Sequence, residues 1–360
     1  MIKDQYHIIG VMSGTSLDGI DLAEINFEYS QGKWQFDILK AETIVYSSYW
    51  KNELQQAVNY SQEQLDRLDF KYTEKLSEDI LRFINRNNIQ EIDSICSHGH
   101  TIFHQPEKGY TLQIGNLPRL AKLVRRTVIC DFRKQDVKLG GQGAPLVPIG
   151  DRLLFSGADR GEGGYDYCLN LGGFANVSSE INGQRIAYDI CPVNIVLNRY
   201  AEKLGNDFDE DGNWAKSGSI NSELLQKLNA LSFYSENPPK SLGFEWVKKM
   251  IFPLLETFTI SSEDILRTFT EHIAIQLNQQ FSENARVLIT GGGAYNSFLL
   301  KRLKTLSSID IIVPSSEIVE YKEALIFGLL GVLKLRGEVN CLASVTGAKK
   351  DHSSGEVFLP

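Results

Sequence analysis

The chain lacks a hydrophobic run long enough to cross a membrane. Its longest, Ala324 to Leu333, holds ten residues with two glycines, well short of the roughly 18 that a spanning helix needs. The start, MIKDQYHIIG, puts Asp4 and Gln5 where a signal peptide leads into an apolar stretch, so a cytoplasmic protein is expected. Cysteine is scarce: Cys96, Cys130, Cys168, Cys191 and Cys341 are odd in number, widely spaced and form no C-x-x-C pair. That pattern excludes a disulfide framework and a zinc knuckle, and leaves reduced, buried thiols. Positive charge is in deficit, with 37 Lys plus Arg against 45 Asp plus Glu and a net charge of −8. Non-specific attraction to nucleic acid or to an anionic membrane is therefore opposed, and neither is expected as a partner. Low-complexity sequence is absent, and 42% hydrophobic and 23% charged residues are ordinary for a folded chain. A length of 360 residues implies about two domains of about 150 residues each.

What is present is a strand pattern written twice. HIIGVM, IDLAEINFEY and WQFDILKAETIVY are β-rich segments separated by glycine-containing turns, and YDYCLNL, FANVSSEI and QRIAYDI repeat the arrangement. Asn182-Gly183 is a strong hairpin signal in the second copy. Helical periodicity follows each copy, in residues 61–88 after the first and in 194–204 and 261–281 after the second. ARVLITGGG followed by AYNSFLLKRLKTL adds a strand and a helix, so mixed sheets covered by helices are expected in two α/β domains of related topology. Composition changes near Gly140, which places the junction there. The expected domains are 1–139, joined by the C-terminal tail, and 140–348, with 349–360 as the tail.

Three turns carry glycine where a strand ends: GVMSGTSLDG (10–19), NLGGFAN (170–176) and TGGGAYN (290–296). Consecutive unobstructed amides form anion-binding concavities, so a nucleotide triphosphate is the natural ligand, although strand-connecting glycines also serve simply to permit positive φ. Neither G-x-x-x-x-G-K-[ST] nor G-x-G-x-x-G opening a helix occurs, so the site is not a P-loop or Rossmann type. Ser13, Thr15 and Ser16 supply hydroxyls, and Asp18 and Asp21 supply carboxylates suited to hydrated magnesium. His98, His100 and His104 share strand parity, but no nearby carboxylate orients them as metal ligands, and a polar pocket wall is the preferred reading. No protein metal site is expected. DFDEDG (207–212) opens like a calcium loop, but Gly218 stands where the bidentate glutamate belongs, which excludes an EF-hand. Ser13 and Ser16 lack the flanking glycines of a nucleophile elbow. Asp189 closes the third strand of the second copy, where a carboxylate has the chemistry to take a proton from water or a hydroxyl.

Taken together, IGVMSGTSLDGID (9–21), SHGHTIFHQP (97–106), DFRKQDVKLGGQGAPLVP (131–148), NLGGFANVS (170–178), AYDICPVN (187–194), FDEDGNWAKSG (208–218), NPPKSLG (237–243), TGGGAYN and VTGA (345–348) resemble the anhydro-N-acetylmuramic acid kinases over nearly the whole chain. The resemblance implies two RNase H-like (actin-like ATPase) domains with mixed β-sheets flanked by helices around a central cleft. It implies ATP with Mg2+ as cofactors. Gly14, Thr15, Ser16, Leu17, Asp18, Gly19, Ile20 and Asp21 would form the first phosphate loop and Asn170, Gly172, Gly173 and Asn176 the second. Gly291, Gly292, Gly293 and Asn296 would lie on the adenosine side. His98, Arg133, Gln142, Asp189 and Asn194 would contact the sugar, with Asp189 also deprotonating the water that opens the 1,6-anhydro bond. A homodimer is implied as well.

The chain departs from the family pattern at three places: DICPVN replaces D-T-G-P-G-N, SLGFE replaces S-T-G-R-E, and His100 stands where glutamine is usual. Lys240 and Glu245 remain in place. A kinase for another amino sugar and an actin- or Hsp70-like ATP-dependent binding protein are the competing readings. The absence of an appended peptide-binding module disfavours the latter.

Overall fold

The run HIIGV is apolar at consecutive positions, which suits a strand buried on both faces, and it occupies the middle of a sheet. A computed structural model of the chain describes residues 2–14, 16–156 and 164–360. In it β1 (Gln5–Ser13) pairs antiparallel with β2 (Gly19–Ser30), and β2 with β3 (Lys33–Val45). β4 (Ser94–Gln105) runs parallel to β1, β5 (Tyr110–Ile114) pairs antiparallel with β4, and β6 (Val128–Cys130) lies parallel to β4. The strand Glu356–Phe358 then closes the β6 edge.

Side chains alternate between the two faces of this sheet. Ile9, Val11, Ile20 and Leu22 share a core with α1 (Gln62–Arg86), whose Leu65, Leu68, Tyr72, Leu76, Ile80 and Phe83 recur at three- and four-residue spacing. Ser61 starts α1 with a capping box, accepting from the Gln64 amide while the Gln64 side chain accepts from its own. Against the opposite face lies the helix Ser316–Arg336. Its small residues permit close approach: a Cβ at Gly328 would meet Ile8 and Ile25, and one at Gly331 would meet Cys96.

The second sheet has the order β11 (Asp310–Ile312), β10 (Arg286–Thr290), β7 (Tyr167–Leu171), β8 (Phe174–Ile181), β9 (Gln184–Pro192). β7, β8 and β9 are antiparallel neighbours, whereas β10 and β11 run parallel. Asn182 and Gly183 both have positive φ, 51° and 77°, as the β8–β9 hairpin requires. α2 (Asn194–Glu202), α3 (Ser262–Asn278) and α4 (Ser297–Leu306) supply the helical layer. Leu266, Phe269, Ile273 and Leu277 of α3 are wholly buried with Leu169, Leu171 and Ile289 of the strands. The first sheet therefore runs β3-β2-β1-β4-β6, with β5 branching from β4, and the second runs β9-β8-β7-β10-β11: in each, three antiparallel strands and then parallel strands on the far side of the first. This is the RNase H-like topology, written twice.

The chain divides into Met1–Leu154 with Tyr321–Pro360, and Phe155–Glu320. That differs from the expected limits of 1–139, 140–348 and 349–360. Residues 140–154 stay with the first unit because the Gln142 amide donates to Thr346 O (2.8 Å), the Gly143 amide donates to Asp136 Oδ2 (2.6 Å), and Asp151 pairs with Lys322 (2.7 Å). From Tyr321 onward the long helix covers the first sheet. No helix among the described residues is long and apolar enough to cross a membrane, and all five cysteines are buried and outside any disulfide.

Gly331→Ala should lower the unfolding free energy by roughly 1–3 kcal/mol, as overpacking does, because the new methyl meets Cys96 Sγ. Adding Cys96→Ala should recover part of that loss in urea melts; strictly additive losses would disprove the proposed contact.

Candidate active site

The β1–β2 connection begins at Gly14, and the Leu17 amide donates to Gly14 O (3.4 Å) with Leu17 at φ 62°. Ser16 and Asp18 are exposed; Thr15 lies outside the described residues. Gly19, Ile20 and Asp21 are not loop residues but the start of β2, paired with Val45, Ile44 and Thr43. Ile20 is completely buried in the core, so only its backbone is available to a ligand. The Asp21 carboxylate is held by the Thr43 hydroxyl (2.6 Å).

The three histidines of β4 separate. Gly99 at φ 74° interrupts the alternation, and each imidazole finds a different partner. His100 Nδ1 lies 2.8 Å from Ser13 Oγ, which continues through Tyr46 OH (2.7 Å) to Tyr72 OH (2.6 Å beyond). His104 Nδ1 lies 3.1 Å from Thr111 Oγ1. His98 accepts at Nε2 from Arg133 Nε (2.8 Å), so its proton sits on Nδ1, which donates to Gly99 O (2.9 Å). Burial, then the Arg133 charge, hold His98 well below the usual imidazole range, and burial lowers His100 to about 4. Arg133 Nη1 also donates to Gly143 O (2.7 Å). His98, Arg133 and the glycine loop carrying exposed Gln142 are thus brought together within the first unit.

In the second unit, strand register does the assembling. Thr290 lies opposite Asn170, Asn170 opposite Asn176, and Asn176 opposite Asp189, a single row across β10, β7, β8 and β9. Turns cluster at the end of that row. The Val193 amide donates to Gly173 O (2.8 Å), the Asn194 amide to Gly172 O (3.2 Å), and Asn194 Nδ2 to Leu171 O (3.3 Å). A Cβ on Gly291 would strike Asn170 Oδ1 and one on Gly293 would strike Leu171; with Gly291 at φ 81°, glycine is required there. Gly292 borders Asn194. Asn296 has a structural task, since its Oδ1 accepts from the Leu299 amide (2.9 Å) and caps α4. Asp189 Oδ2 accepts from the Leu242 amide (2.7 Å), and the Asp189 amide donates to Lys240 O (3.0 Å). Burial raises the Asp189 carboxyl above its ordinary range, opposed by the hydrogen bonds from Leu242 and Ser241.

Two residues escaped the sequence reading. Asp136, wholly buried, accepts from Gly143 N and from the Thr346 hydroxyl (2.7 Å). Glu323 reaches solvent, yet the surrounding protein raises its carboxyl, Arg133 opposing and Asp21 adding to the effect. Glu323 is the last charged residue before the apolar run Ala324–Leu333 of the helix Ser316–Arg336, and this was the available signal for it.

The sequence profile described as Anhydro-N-acetylmuramic acid kinase matches residues 6–360. The chain belongs to the anhydro-N-acetylmuramic acid kinase family. Proteins so named from Mannheimia succiniciproducens and Pseudomonas syringae pv. syringae are 33% and 34% identical, covering 99% and 98% of this chain and 100% and 99% of their own. The one from Bacillus cereus is 32% identical over 98% of this chain and 99% of its own. Likeness to solved structures is remote: a ROK family glucokinase from Streptomyces griseus aligns with a TM-score of 0.40 and 11% identity over 90% of this chain and 98% of its own.

Membership in the kinase family gives the departures a structural reading. Ile190, Cys191 and Val193 are buried in the second core, so their added bulk faces inward. Phe244 is exposed, with Lys248 Nζ 4.8 Å from its ring centre. Lys240 Nζ donates to Phe233 O (3.0 Å).

Burial penalises the imidazolium form, so histidine nitrogen NMR should show His98 neutral as the Nδ1–H tautomer at pH 6, and His100 titrating near 4. Titration of either ring between pH 6 and 7 would contradict the observed packing.

Proposed function

We propose that the chain is an ATP-dependent kinase that hydrolytically opens 1,6-anhydro-N-acetylmuramic acid and phosphorylates O6, giving N-acetylmuramic acid 6-phosphate and ADP in cell-wall recycling. The observation that carries this reading is Asp189. It sits at the end of the row of polar residues, fixed through one oxygen by Leu242 N, with a carboxyl raised toward the range useful for proton transfer. As the base, Asp189 takes a proton from water as the water oxygen bonds to the anomeric carbon. The bond from that carbon to O6 breaks, and O6 receives the γ-phosphoryl group.

His98, Arg133 and Gln142 are assigned to the sugar, with Asn194 as a further contact. Arg133 is a fixed donor because its Nε and Nη1 are already aimed by His98 and Gly143. The backbone amides of residues 14–18, 172–173 and 291–293 are assigned to ATP, with Asn170 and Asn176 beside them. Asp18 and Asp21 are the hard oxygen donors assigned to magnesium in the first unit, Asp18 being exposed and the Asp21 carboxylate aimed by the Thr43 hydroxyl. When bound, the ion supplies charge neutralisation on the β- and γ-phosphates. Cytoplasmic location and a homodimer complete the proposal, the first carried over from the sequence analysis and the second resting on the family resemblance. Light scattering should then give twice the 40.5 kDa chain mass.

Incubation with magnesium-ATP and 1,6-anhydro-N-acetylmuramic acid in ¹⁸O-water should yield a 6-phosphorylated sugar labelled at the anomeric oxygen. An unlabelled phosphorylated sugar would replace this reading with an ordinary sugar kinase. Asp189→Asn should cut turnover by roughly 10²–10⁴-fold while ATP binding persists. In the wild type, kcat/KM should fall on acidification through a pKa above the usual aspartate value, because the base must be ionised and its folded pKa is raised. Near-normal turnover of the variant would remove Asp189 from the mechanism.

A further inference from the structure

Behind the glycine loop, Asp136, Cys341 and His352 converge from distant parts of the first unit, with their donor atoms within 4.8 Å of one another and all three side chains buried. Cys341 Sγ lies 3.1 Å and His352 Nε2 3.6 Å from Asp136 Oδ1. The backbone sets this arrangement. Cys341 and His352 form an antiparallel bridge, each amide donating to the other's carbonyl at 3.1 Å. Asn340 locks the bridge by donating to Leu330 O and Ser354 O (both 2.9 Å) and accepting from Ser354 N (2.6 Å).

His352 supplies an independent observation. Its Nδ1 lies 3.1 Å from Lys350 O, a carbonyl that only accepts, so Nδ1 carries a proton. Nε2 is then the coordinating nitrogen, yet it is buried without a hydrogen-bond partner and faces the Asp136 carboxylate. An imidazole nitrogen and a carboxylate facing each other away from water call for positive charge between them, supplied by a second proton on His352 or by a bound cation. Sulfur, imidazole nitrogen and carboxylate oxygen together are the donor set of zinc rather than of magnesium or calcium. Tetrahedral bonds of the usual zinc lengths require ligand-to-ligand edges of roughly 3.3–3.6 Å, within about half an ångström of the two separations measured from Asp136 Oδ1.

We infer that Asp136, Cys341 and His352 form a structural site for a thiophilic divalent cation, Zn2+ by chemical class, that clamps the segment 340–352 to the glycine loop. On binding, the Cys341 Sγ–H bond gives way to an Sγ–metal bond, and the proton leaves to solvent. The site is independent of the nucleotide, so its occupancy is readable whether or not the chain phosphorylates a sugar.

Tag-free protein stripped with EDTA and titrated with Co2+ should take up one equivalent, with a near-ultraviolet thiolate-to-cobalt band and visible bands of tetrahedral intensity, displaced by one equivalent of Zn2+. Cys341→Ser, which keeps a hydroxyl donor toward Asp136, should lose the charge-transfer band with an unchanged circular dichroism spectrum. His352→Gln should weaken Co2+ affinity at least tenfold. Absence of the band in folded wild-type protein, or uptake that survives Cys341→Ser with the band intact, would overturn the assignment.

Discussion

The first unit is organised around the buried carboxylate of Asp136. A carboxylate removed from water is tolerated only when its oxygens are hydrogen-bonded, and Asp136 satisfies this with groups that are far apart in sequence. One oxygen takes the Gly143 amide; the other takes the Thr346 and Cys341 side chains. A Cβ at Gly141 would collide with the carboxylate, so the glycine loop wraps a charge and not an apolar core. Gly143 in turn offers its carbonyl to Arg133, and Arg133 presents Nε to His98. The orientation of the proposed sugar contacts thus descends, one hydrogen bond at a time, from a group that touches no substrate.

The second unit solves the same problem with strand register. Asn170, Asn176 and Asp189 stand in one row because β7, β8 and β9 pair without slippage at those positions. A shift of any one of these strands by one residue would send its member of the row to the opposite face. The irregularity between Ala175 and Asn176 lies immediately beside the row and leaves Asp189 opposite Asn176. The glycine turns then need no side chains of their own: Gly172 and Gly173 offer carbonyls to the start of α2, and Gly291 and Gly293 lie too close to Asn170 and Leu171 for any larger residue.

Local features were legible in the sequence. Both three-strand blocks, the helix that follows the first and the Asn182-Gly183 turn follow from periodicity and turn chemistry within a few residues, and the structure contains each. Long-range pairings were not. Asp136 meets Thr346 across 210 residues, and no local pattern announces that residues 321–360 return to the first unit. For this reason composition put a junction near Gly140 although the structure divides after Leu154. Histidine parity is broken for local reasons, since Gly99 at positive φ separates His98 from His100 and an irregularity between Thr101 and Phe103 follows before His104.

Inward-facing positions absorb the variation that this chain shows against its family pattern. Ile190, Cys191 and Val193 enlarge side chains that are buried beside Leu169, Val177 and Val196, whereas the neighbouring Asp189 and Asn194 keep the polar groups that face the turns. Replacing glycine by valine at position 193 restricts the backbone, yet its amide still donates to Gly173 O, so the contact that seats α2 on the second glycine turn survives. His100 behaves likewise: buried among Ser13, Tyr46 and Tyr72, it fills a polar niche through one ring nitrogen. The groups to which the proposal assigns the chemistry are backbone amides and the Asp189 carboxylate, itself held by the Leu242 amide, and such groups tolerate exchange of the apolar side chains behind them so long as the strand register is kept.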